Sequence, residues 1–150
     1  MATKALIDTN VLVYAHDRSE PAKQIQALAV LDKLRAAESG ALSVQSLSEF
    51  LNAVTRHIKM PLSSDAAAQQ VERLIRSWPV FDLTPMIVLE ATRGVRDHQL
   101  AYWDAQIWAT ARLNQVPVVI TEDIPSARVI EAFALPILSH LTLTSVSGET

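Results

Sequence analysis

Hydrophobic positions along the chain follow two spacings in turn, and these predict alternating strands and helices. Short runs of branched apolar residues without polar alternation are typical of parallel strands buried on both faces. Runs of this kind occupy residues 4–7, 41–43, 80–82, 118–120 and 137–139. Apolar residues three and four apart predict helices over 21–37, 45–58, 65–77 and 100–111. A further helix is expected to begin with Thr84 as N-cap and Pro85 at its first position.

This order of elements predicts an α/β fold, in which helices cover both faces of a central, mostly parallel sheet of about four to five strands. The chain has 150 residues, of which 49% are hydrophobic and 19% charged, and these values suit one globular domain. We place that domain at residues 1–141 and a polar C-terminal tail at 142–150.

Composition excludes several classes of enzyme. The chain has no Cys, which removes thiolate catalysis, disulfides and zinc sites built on sulfur. Its four His residues are far apart and match no metal-binding motif. The three Gly residues form no phosphate-binding loop, which argues against a P-loop protein or a dinucleotide-binding fold.

The sequence gives no sign of a membrane or an export signal. No apolar run approaches the roughly 18 residues that a membrane-spanning helix needs. The N-terminal residues lead almost directly into the first predicted strand and lack the layout of a signal peptide. Together with the absence of Cys, these features predict a cytoplasmic protein without membrane contact.

Four carboxylates lie where local structure alone explains them poorly. Asp8 closes the first apolar run, and Asp123 lies just beyond the run at 118–120. In parallel sheets, ligands gather outside the carboxyl ends of the strands. Asp104 interrupts the apolar stripe of its helix, where burying an ionised carboxylate without a partner is costly. Glu49 lies in the predicted first turn of a helix that follows an apolar strand.

Three of these acids also have a structural explanation when each is taken alone. Asp8 is a candidate helix cap, although either of the two residues after it would suffice. Ser46 and Glu49 match the capping box that begins many helices. An Arg of a neighbouring element would satisfy Asp104. The occurrence of several such acids in one chain favours a shared role, which is the binding of a divalent metal.

Carboxylates suit a particular group of metals and a particular chemistry. Mg²⁺ and Mn²⁺ prefer hard oxygen ligands and usually keep several waters, so that a few carboxylates and the phosphate oxygens of a substrate complete the site. A metal held in this way polarises a scissile phosphate and lowers the pKa of a bound water. The acids therefore point to phosphodiester hydrolysis with Mg²⁺ or Mn²⁺ as cofactor.

The acids belong to four motifs whose order along the chain resembles that of the PIN-domain nucleases. The motifs are Asp-Thr-Asn after the first strand, Ser-x-x-Glu-Phe at a helix start, Trp-Asp-Ala-x-Ile-x-Ala in a helix, and Thr-Glu-Asp after an apolar strand. Within that family the chain most resembles the VapC-type toxin ribonucleases of bacterial toxin–antitoxin pairs, over about residues 5–138. The resemblance implies a PIN-like fold over 1–141 and metal-dependent endoribonuclease activity.

The resemblance also implies roles for individual residues. The metal-binding and catalytic acids of the family correspond to Asp8, Glu49, Asp104 and Asp123. Asn10 corresponds to a polar residue that orients the first Asp, and Thr121 to the hydroxyl residue beside the last acid. Glu122 is an alternative to Asp123, or an assistant to it; we favour Asp123 because it lies at the expected strand–helix turn.

Partners follow from the same resemblance. Members of the family act on RNA, usually form homodimers, and are held inactive by a small antitoxin protein. Apolar residues within 25–34 and 51–58 are candidates for either protein interface. The net charge of −3 is unusual for an RNA-binding protein, but metal-bound acids would leave basic residues to dominate around the cleft. Candidates for contact with RNA are Arg93, Arg96 and Arg112.

Two other functions are compatible with part of the pattern. A haloacid-dehalogenase-like phosphatase also begins with an Asp at the end of its first strand, but it needs a second Asp where this chain has Asn10. A non-catalytic PIN-like interaction module would typically have lost one or more of the acids. Because all four acids are present, the sequence favours catalysis.

Overall fold

The structure, a computed structural model, describes residues 4–121, 129–130 and 135–136. The elements in chain order are β1 (Ala5–Ile7), α1 (Thr9–His16), α2 (Pro21–Ala36), β2 (Gly40–Ser43), α3 (Val44–Arg56), α4 (Ser64–Ser77), β3 (Val80–Phe81), α5 (Pro85–His98), α6 (Tyr102–Leu113), β4 (Val118–Ile120), β5 (Val129–Ile130) and β6 (Leu135–Pro136).

Four strands form a parallel sheet in the order β3-β2-β1-β4. Strand β1 is central, with Leu6 opposite Ala41 on one side and Val119 on the other. Strands β5 and β6 form a separate antiparallel pair, which the sequence did not predict. The predicted α/β fold with a parallel central sheet is confirmed, while the predicted strand at 137–139 and the tail at 142–150 lie outside the described residues.

Side chains of the strands alternate between two hydrophobic cores. Ile7 joins the core formed by α1, α2, α3 and α4, whereas its neighbour Leu6 joins the core formed by α5 and α6. Phe50 is fully buried in the first core, and Trp108 is fully buried in the second. Helices therefore cover both faces of the sheet, as its unbroken apolar strands predict.

Several helices begin where local chemistry predicts. The Thr84 hydroxyl accepts a hydrogen bond from the Ile87 amide and Pro85 opens α5, so the predicted start of this helix is confirmed. Ser63 caps α4 in the same manner. Helix α6 begins after Ala101 without a side-chain cap. None of the helices in the described part of the chain has the length and apolar character needed to cross a membrane.

The sheet brings distant segments of the chain to a common edge. Because β1, β2 and β4 are parallel neighbours, their carboxyl ends lie side by side. Asp8 follows β1 directly, helix α3 follows β2, and Thr121 follows β4. The Asp8 amide donates to the Ile120 carbonyl at 3.0 Å, which fixes the end of β1 against the end of β4. This edge carries the candidate site.

Packing between α5 and α6 depends on Gly94. A Cβ added to Gly94 would lie 2.8 Å from Cε3 of the buried Trp108 ring and 3.2 Å from Cβ of Ala105. We expect Gly94→Ala to lower the free energy of unfolding by about 1–3 kcal/mol, because overpacking outweighs the gain in helix propensity. Chemical denaturation of the purified protein measures this change.

The matched control for this prediction is Thr92→Ala, which lies on the exposed face of the same helix. Its effect is expected to stay within about 0.5 kcal/mol. An increase in stability for Gly94→Ala, equal to the ordinary benefit of Ala over Gly in a helix, would contradict the packing argument.

Candidate functional site

Asp8 uses both carboxylate oxygens in the structure. It is the N-cap of α1, and its Oδ1 accepts a hydrogen bond from the Thr9 amide at 2.7 Å. Its Oδ2 accepts a hydrogen bond from the Thr121 hydroxyl at 2.7 Å. The expectation that Thr9 or Asn10 would cap the helix is wrong, because Asp8 itself does so.

Burial makes the charge on Asp8 costly. The residue is only 6% exposed. This burial raises the pKa of Asp8 from 3.8 to about 6; hydrogen bonds from Thr121 and the Thr9 amide act against the rise, and the charges of Glu49 and Asp104 add to it. Three of the predicted acids therefore influence one another electrostatically across segments that are far apart in the sequence.

Glu49 is not part of a capping box. Helix α3 begins at Val44, and its N-cap is Ser43, whose hydroxyl accepts a hydrogen bond from the Ser46 amide at 3.0 Å. The capping box at Ser46 does not form, because Ser43 supplies the capping hydroxyl three residues earlier; the helix begins one residue before the predicted range of 45–58. Glu49 consequently lies in the second turn, where its carboxylate is not needed for capping.

Uncharged donors hold the half-buried Glu49 carboxylate. The Thr9 hydroxyl donates to Oε2 at 2.8 Å, and the Gln45 side-chain amide donates to Oε1 at 2.9 Å. Thr9 thus contacts two acids, since its amide binds Asp8 and its hydroxyl binds Glu49. This single residue keeps the end of β1 in register with α3.

Asp104 lies in the first turn of α6, half-buried, and its charge acts on Asp8. The helix begins at Tyr102, two residues later than predicted. A carboxylate in the first turn interacts favourably with the helix dipole, and this offsets part of the cost of partial burial. Because its charge acts on Asp8, Asp104 lies near the same edge of the sheet.

The two predicted supporting residues near β4 contact each other. The Asn10 side-chain amide donates to the Thr121 hydroxyl at 3.4 Å, and that hydroxyl in turn donates to Asp8. Within the described residues, the buried Oδ1 of Asn10 has no hydrogen-bond partner. The other supporting residue, Glu122, and the fourth predicted acid, Asp123, lie outside the described part of the chain.

Sequence reasoning missed a chain of side-chain amides beside Glu49. The buried Gln106 donates to Gln45 Oε1 at 2.8 Å, and the Tyr102 hydroxyl donates to Gln106 Oε1 at 2.8 Å. Gln45 also donates to the backbone carbonyl of Trp103 at 3.0 Å. The available signal was Gln106 itself, a polar residue inside a run of small and apolar residues in α6. This relay connects α3 to the first turn of α6.

The predicted RNA-binding arginines have partners of their own. Nε atoms of Arg93 and Arg112 lie 2.8 and 3.0 Å from Oε1 of Glu90, and both guanidiniums stack near the Trp108 ring. Arg96 pairs with its exposed neighbour Asp97. The first two arginines stabilise the contact between α5 and α6, and a role of these residues in RNA binding stays a prediction.

The donor set suits a hard divalent cation. Among the described residues, neither Asp8 nor Glu49 forms an ion pair with Lys, Arg or His. The same residues contain no group of three or more His, Cys, Asp or Glu side chains that is placed to hold a metal ion. Mg²⁺ commonly binds through one or two carboxylates and completes its shell with waters and phosphate oxygens. A buried carboxylate with a raised pKa and an unpaired amide oxygen beside it fit such an ion in chemical type.

The raised pKa of Asp8 predicts how stability depends on pH in the metal-free protein. The folded protein binds the proton of the Asp8 carboxyl more tightly than the unfolded chain does. Protonated Asp8 therefore stabilises the fold at low pH, and this stabilisation is lost as pH rises from about 3.8 to about 6. Asp8→Asn removes the charge and keeps an acceptor for the Thr9 amide. We expect this variant to be more stable than the parent by up to about 3 kcal/mol at pH 7.5, and by little at pH 4.

Denaturation in the presence of a chelator at both pH values checks this expectation. Asp97→Asn serves as the control, because Asp97 is exposed and the hydrogen bond from Arg96 lowers its pKa. No gain is expected from that substitution at pH 7.5. A loss of stability in Asp8→Asn at pH 7.5 would instead mean that the carboxylate charge itself stabilises the fold.

Comparison with protein families gives a match to the family model described as PIN domain, over residues 5–130. Comparison with curated protein sequences gives no match. Solved structures with a similar fold include a toxin–antitoxin complex from Klebsiella pneumoniae, with a TM-score of 0.59 and 20% sequence identity. That likeness covers 80% of this chain and 87% of the other.

Two further structures have a similar fold. The toxin VapC20 from Mycobacterium tuberculosis, described as cleaving the sarcin–ricin loop, has a TM-score of 0.59 and 17% identity, and the likeness covers 77% of this chain and 87% of the other. DNA-bound VapBC from Salmonella typhimurium has a TM-score of 0.60 and 16% identity, with 82% and 89% covered. Since the family match spans most of the sequence and the observed fold has a parallel sheet between two layers of helices, the chain belongs to the PIN-domain family.

Proposed function

We propose that this protein is a metal-dependent endoribonuclease, which hydrolyses RNA phosphodiester bonds with Mg²⁺ or Mn²⁺ as cofactor. The observation that carries the proposal is the buried carboxylate of Asp8, whose pKa is raised by burial and further by the charges of Glu49 and Asp104. Asp123 completes the proposed set of catalytic and metal-binding acids. A buried carboxylate on which the charges of two further acids act is suited to binding a cation and poorly suited to a purely structural role.

The proposed metal ligands are Asp8, Glu49, Asp104 and Asp123. A metal ion held by these acids supplies Lewis acidity toward the scissile phosphate and a water of lowered pKa. The other residues of the site must hold the negatively charged side chains close together. Thr121 and the Thr9 amide orient Asp8, and Gln45 with the Thr9 hydroxyl orients Glu49. Fixed hydrogen bonds of this kind reduce the reorganisation needed during reaction.

Solved structures with the same fold support a more specific biological role. VapC20 from Mycobacterium tuberculosis is described as a toxin that cleaves the sarcin–ricin loop, and the Klebsiella pneumoniae structure as a toxin–antitoxin complex. By analogy, the protein is proposed to be the toxin of a toxin–antitoxin pair, with a small antitoxin protein as its partner and a homodimer as its assembly. A small overlapping reading frame immediately upstream would identify the partner.

Exposed apolar residues support such protein contacts. Ile25 and Leu28 on α2 and Leu51 on α3 are exposed, whereas Leu31 and Leu34 are buried in the core. Leu51 lines a groove of about 820 Å³ between α3 and α4. Part of the apolar surface predicted for interfaces is therefore available, and the rest serves core packing.

The alternatives receive less support. Membership of the PIN-domain family argues against a haloacid-dehalogenase-like phosphatase. Asn10, which stands where that class needs a second Asp, donates its side-chain amide to Thr121. A non-catalytic module would have no need to bring Asp8, Glu49 and Asp104 into electrostatic contact.

Cleavage of RNA is expected to depend on both the metal and Asp104. Incubation of the purified protein with total RNA should give discrete fragments with Mg²⁺ and none with a chelator. Asp104→Asn should lower the rate by at least about a hundredfold, as expected when one electrostatic contact to the transition state is lost. Its metal-free stability should be unchanged or higher, because one of the charges acting on Asp8 is removed.

Asp65→Asn is the matched control for this experiment, since Asp65 also lies in the first turn of a helix but is exposed and belongs to α4. It should cleave at the parental rate. A large fall in the melting temperature of Asp104→Asn would contradict the proposal, because it would make Asp104 a structural residue.

Divalent metal is expected to stabilise the folded protein. A ligand that binds only the native state at 100 times its Kd adds about 2.7 kcal/mol, or roughly 5–10 °C in Tm for a chain of this length. Mg²⁺ or Mn²⁺ should therefore raise Tm, whereas NaCl at equal ionic strength should not. The double variant Asp8→Asn, Asp104→Asn should lose most of the metal-induced shift, and an undiminished shift in this variant would place the metal elsewhere.

A further inference from the structure

An exposed pair of aromatic side chains adjoins the candidate site. Tyr102 and Trp103 open α6, and their rings meet edge to face with centroids 5.0 Å apart. Trp103 is 62% exposed, whereas Trp78 and Trp108, the other two Trp residues of the chain, are 5% and 0% exposed. Leaving so large an apolar side chain in water forgoes stabilisation that burial would give. The proposed cleavage chemistry does not use either ring.

The pair is tied to the acidic site through the backbone and through the Gln relay. Trp103 directly precedes Asp104 in the chain. The same Gln45 amide that donates to Glu49 also donates to the Trp103 carbonyl. The Tyr102 hydroxyl binds Gln106, which in turn binds Gln45. These hydrogen bonds hold the backbone of the first turn of α6 against α3, so the exposed Trp103 ring projects from a fixed point of the chain next to Asp104.

We infer that Trp103, supported by Tyr102, is a stacking platform for an unpaired base of the RNA strand next to the phosphate that is cleaved. This inference rests on the proposed ribonuclease function. Aromatic rings bind bases of any sequence by stacking, and single-stranded RNA presents its base faces for such contacts. A duplex stacks its bases on one another and hides these faces. The substrate class is thus RNA with unpaired nucleotides, such as loops and single strands.

Charge favours a base over other occupants of this surface. Arg93 and Arg112, two of the candidate phosphate ligands, pair with Glu90, so these two residues supply limited affinity for phosphates. A neutral aromatic face attracts a nucleobase without needing cationic residues. Its position beside Asp104 would place the neighbouring phosphate near the acids.

Intrinsic fluorescence offers a direct test, because Trp103 is the one exposed Trp of the chain. The probe is a single-stranded RNA of random sequence, titrated into the Asp8→Asn variant to prevent the proposed cleavage. Stacking is expected to quench the emission in a saturable manner. The same strand annealed to its complement should quench much less. Equal quenching by the duplex, or none by either form, would overturn the platform.

Cleavage kinetics of single Trp103 variants distinguish a role in binding RNA from a role in the chemical step. Trp103→Ala should raise KM for single-stranded RNA by about 5- to 150-fold, the range known for loss of one stacked base, and change kcat little. Trp103→Phe keeps an aromatic face and should recover most of the affinity. Ile25→Ala, at an exposed residue on α2, is the matched control and should retain the parental KM.

The possible outcomes distinguish this inference from the function on which it rests. If the protein cleaves RNA and Trp103→Ala cleaves it with unchanged KM, the proposed stacking role of Trp103 is wrong and the proposed ribonuclease function is retained. If no RNA is cleaved with Mg²⁺ but single strands still quench Trp103, the nuclease is wrong and the base-binding surface stands. If Trp103→Ala changes the oligomeric state in sedimentation and leaves the KM unaltered, the aromatic pair is a protein interface and the inference fails.

Discussion

Burial of the Asp8 carboxylate at the carboxyl edge of the sheet is the constraint on which the arrangement of this site depends. Parallel pairing of β1 with β2 and β4 brings the segments after these strands together, and Asp8 consequently loses most of its water. Hydrogen bonds hold these carboxylates in place. Thr121, at the end of β4, donates to Asp8, whereas Thr9 and Gln45 both donate to Glu49.

Much of the fold can be predicted from local sequence. Capping residues mark the starts of several helices, and unbroken apolar runs mark the buried strands. Thr84 with Pro85, and the apolar run at β4, illustrate cases in which one segment contains all the necessary information. The capping box at Ser46 was the wrong alternative, because Ser43 and Ser46 offer equivalent caps and only the end of β2 decides between them. The sequence also indicated each acid as a candidate site residue, but how near the acids lie to one another depends on the order of the strands in the sheet.

The Gln relay was beyond prediction for a different reason. Gln45 and Gln106 are 61 residues apart, and neither belongs to a sequence motif that predicts a contact between them. A buried amide in a helix is only a sign that some partner exists. The basic residues give a similar lesson, since Arg93 and Arg112 look like phosphate ligands in the sequence but pack around Trp108 with Glu90. Net charge alone therefore says little about the field near the acids.

The side chains that hold Asp8 and Glu49 are hydroxyls and amides, which carry no net charge and do not ionise in the physiological range. They aim the carboxylates without neutralising them, which a Lys or Arg in the same place would do. These hydrogen bonds leave the negative charge of the two carboxylates available to an incoming counterion. Orientation and charge are thus controlled by separate groups, so either property can change during evolution while the other is kept.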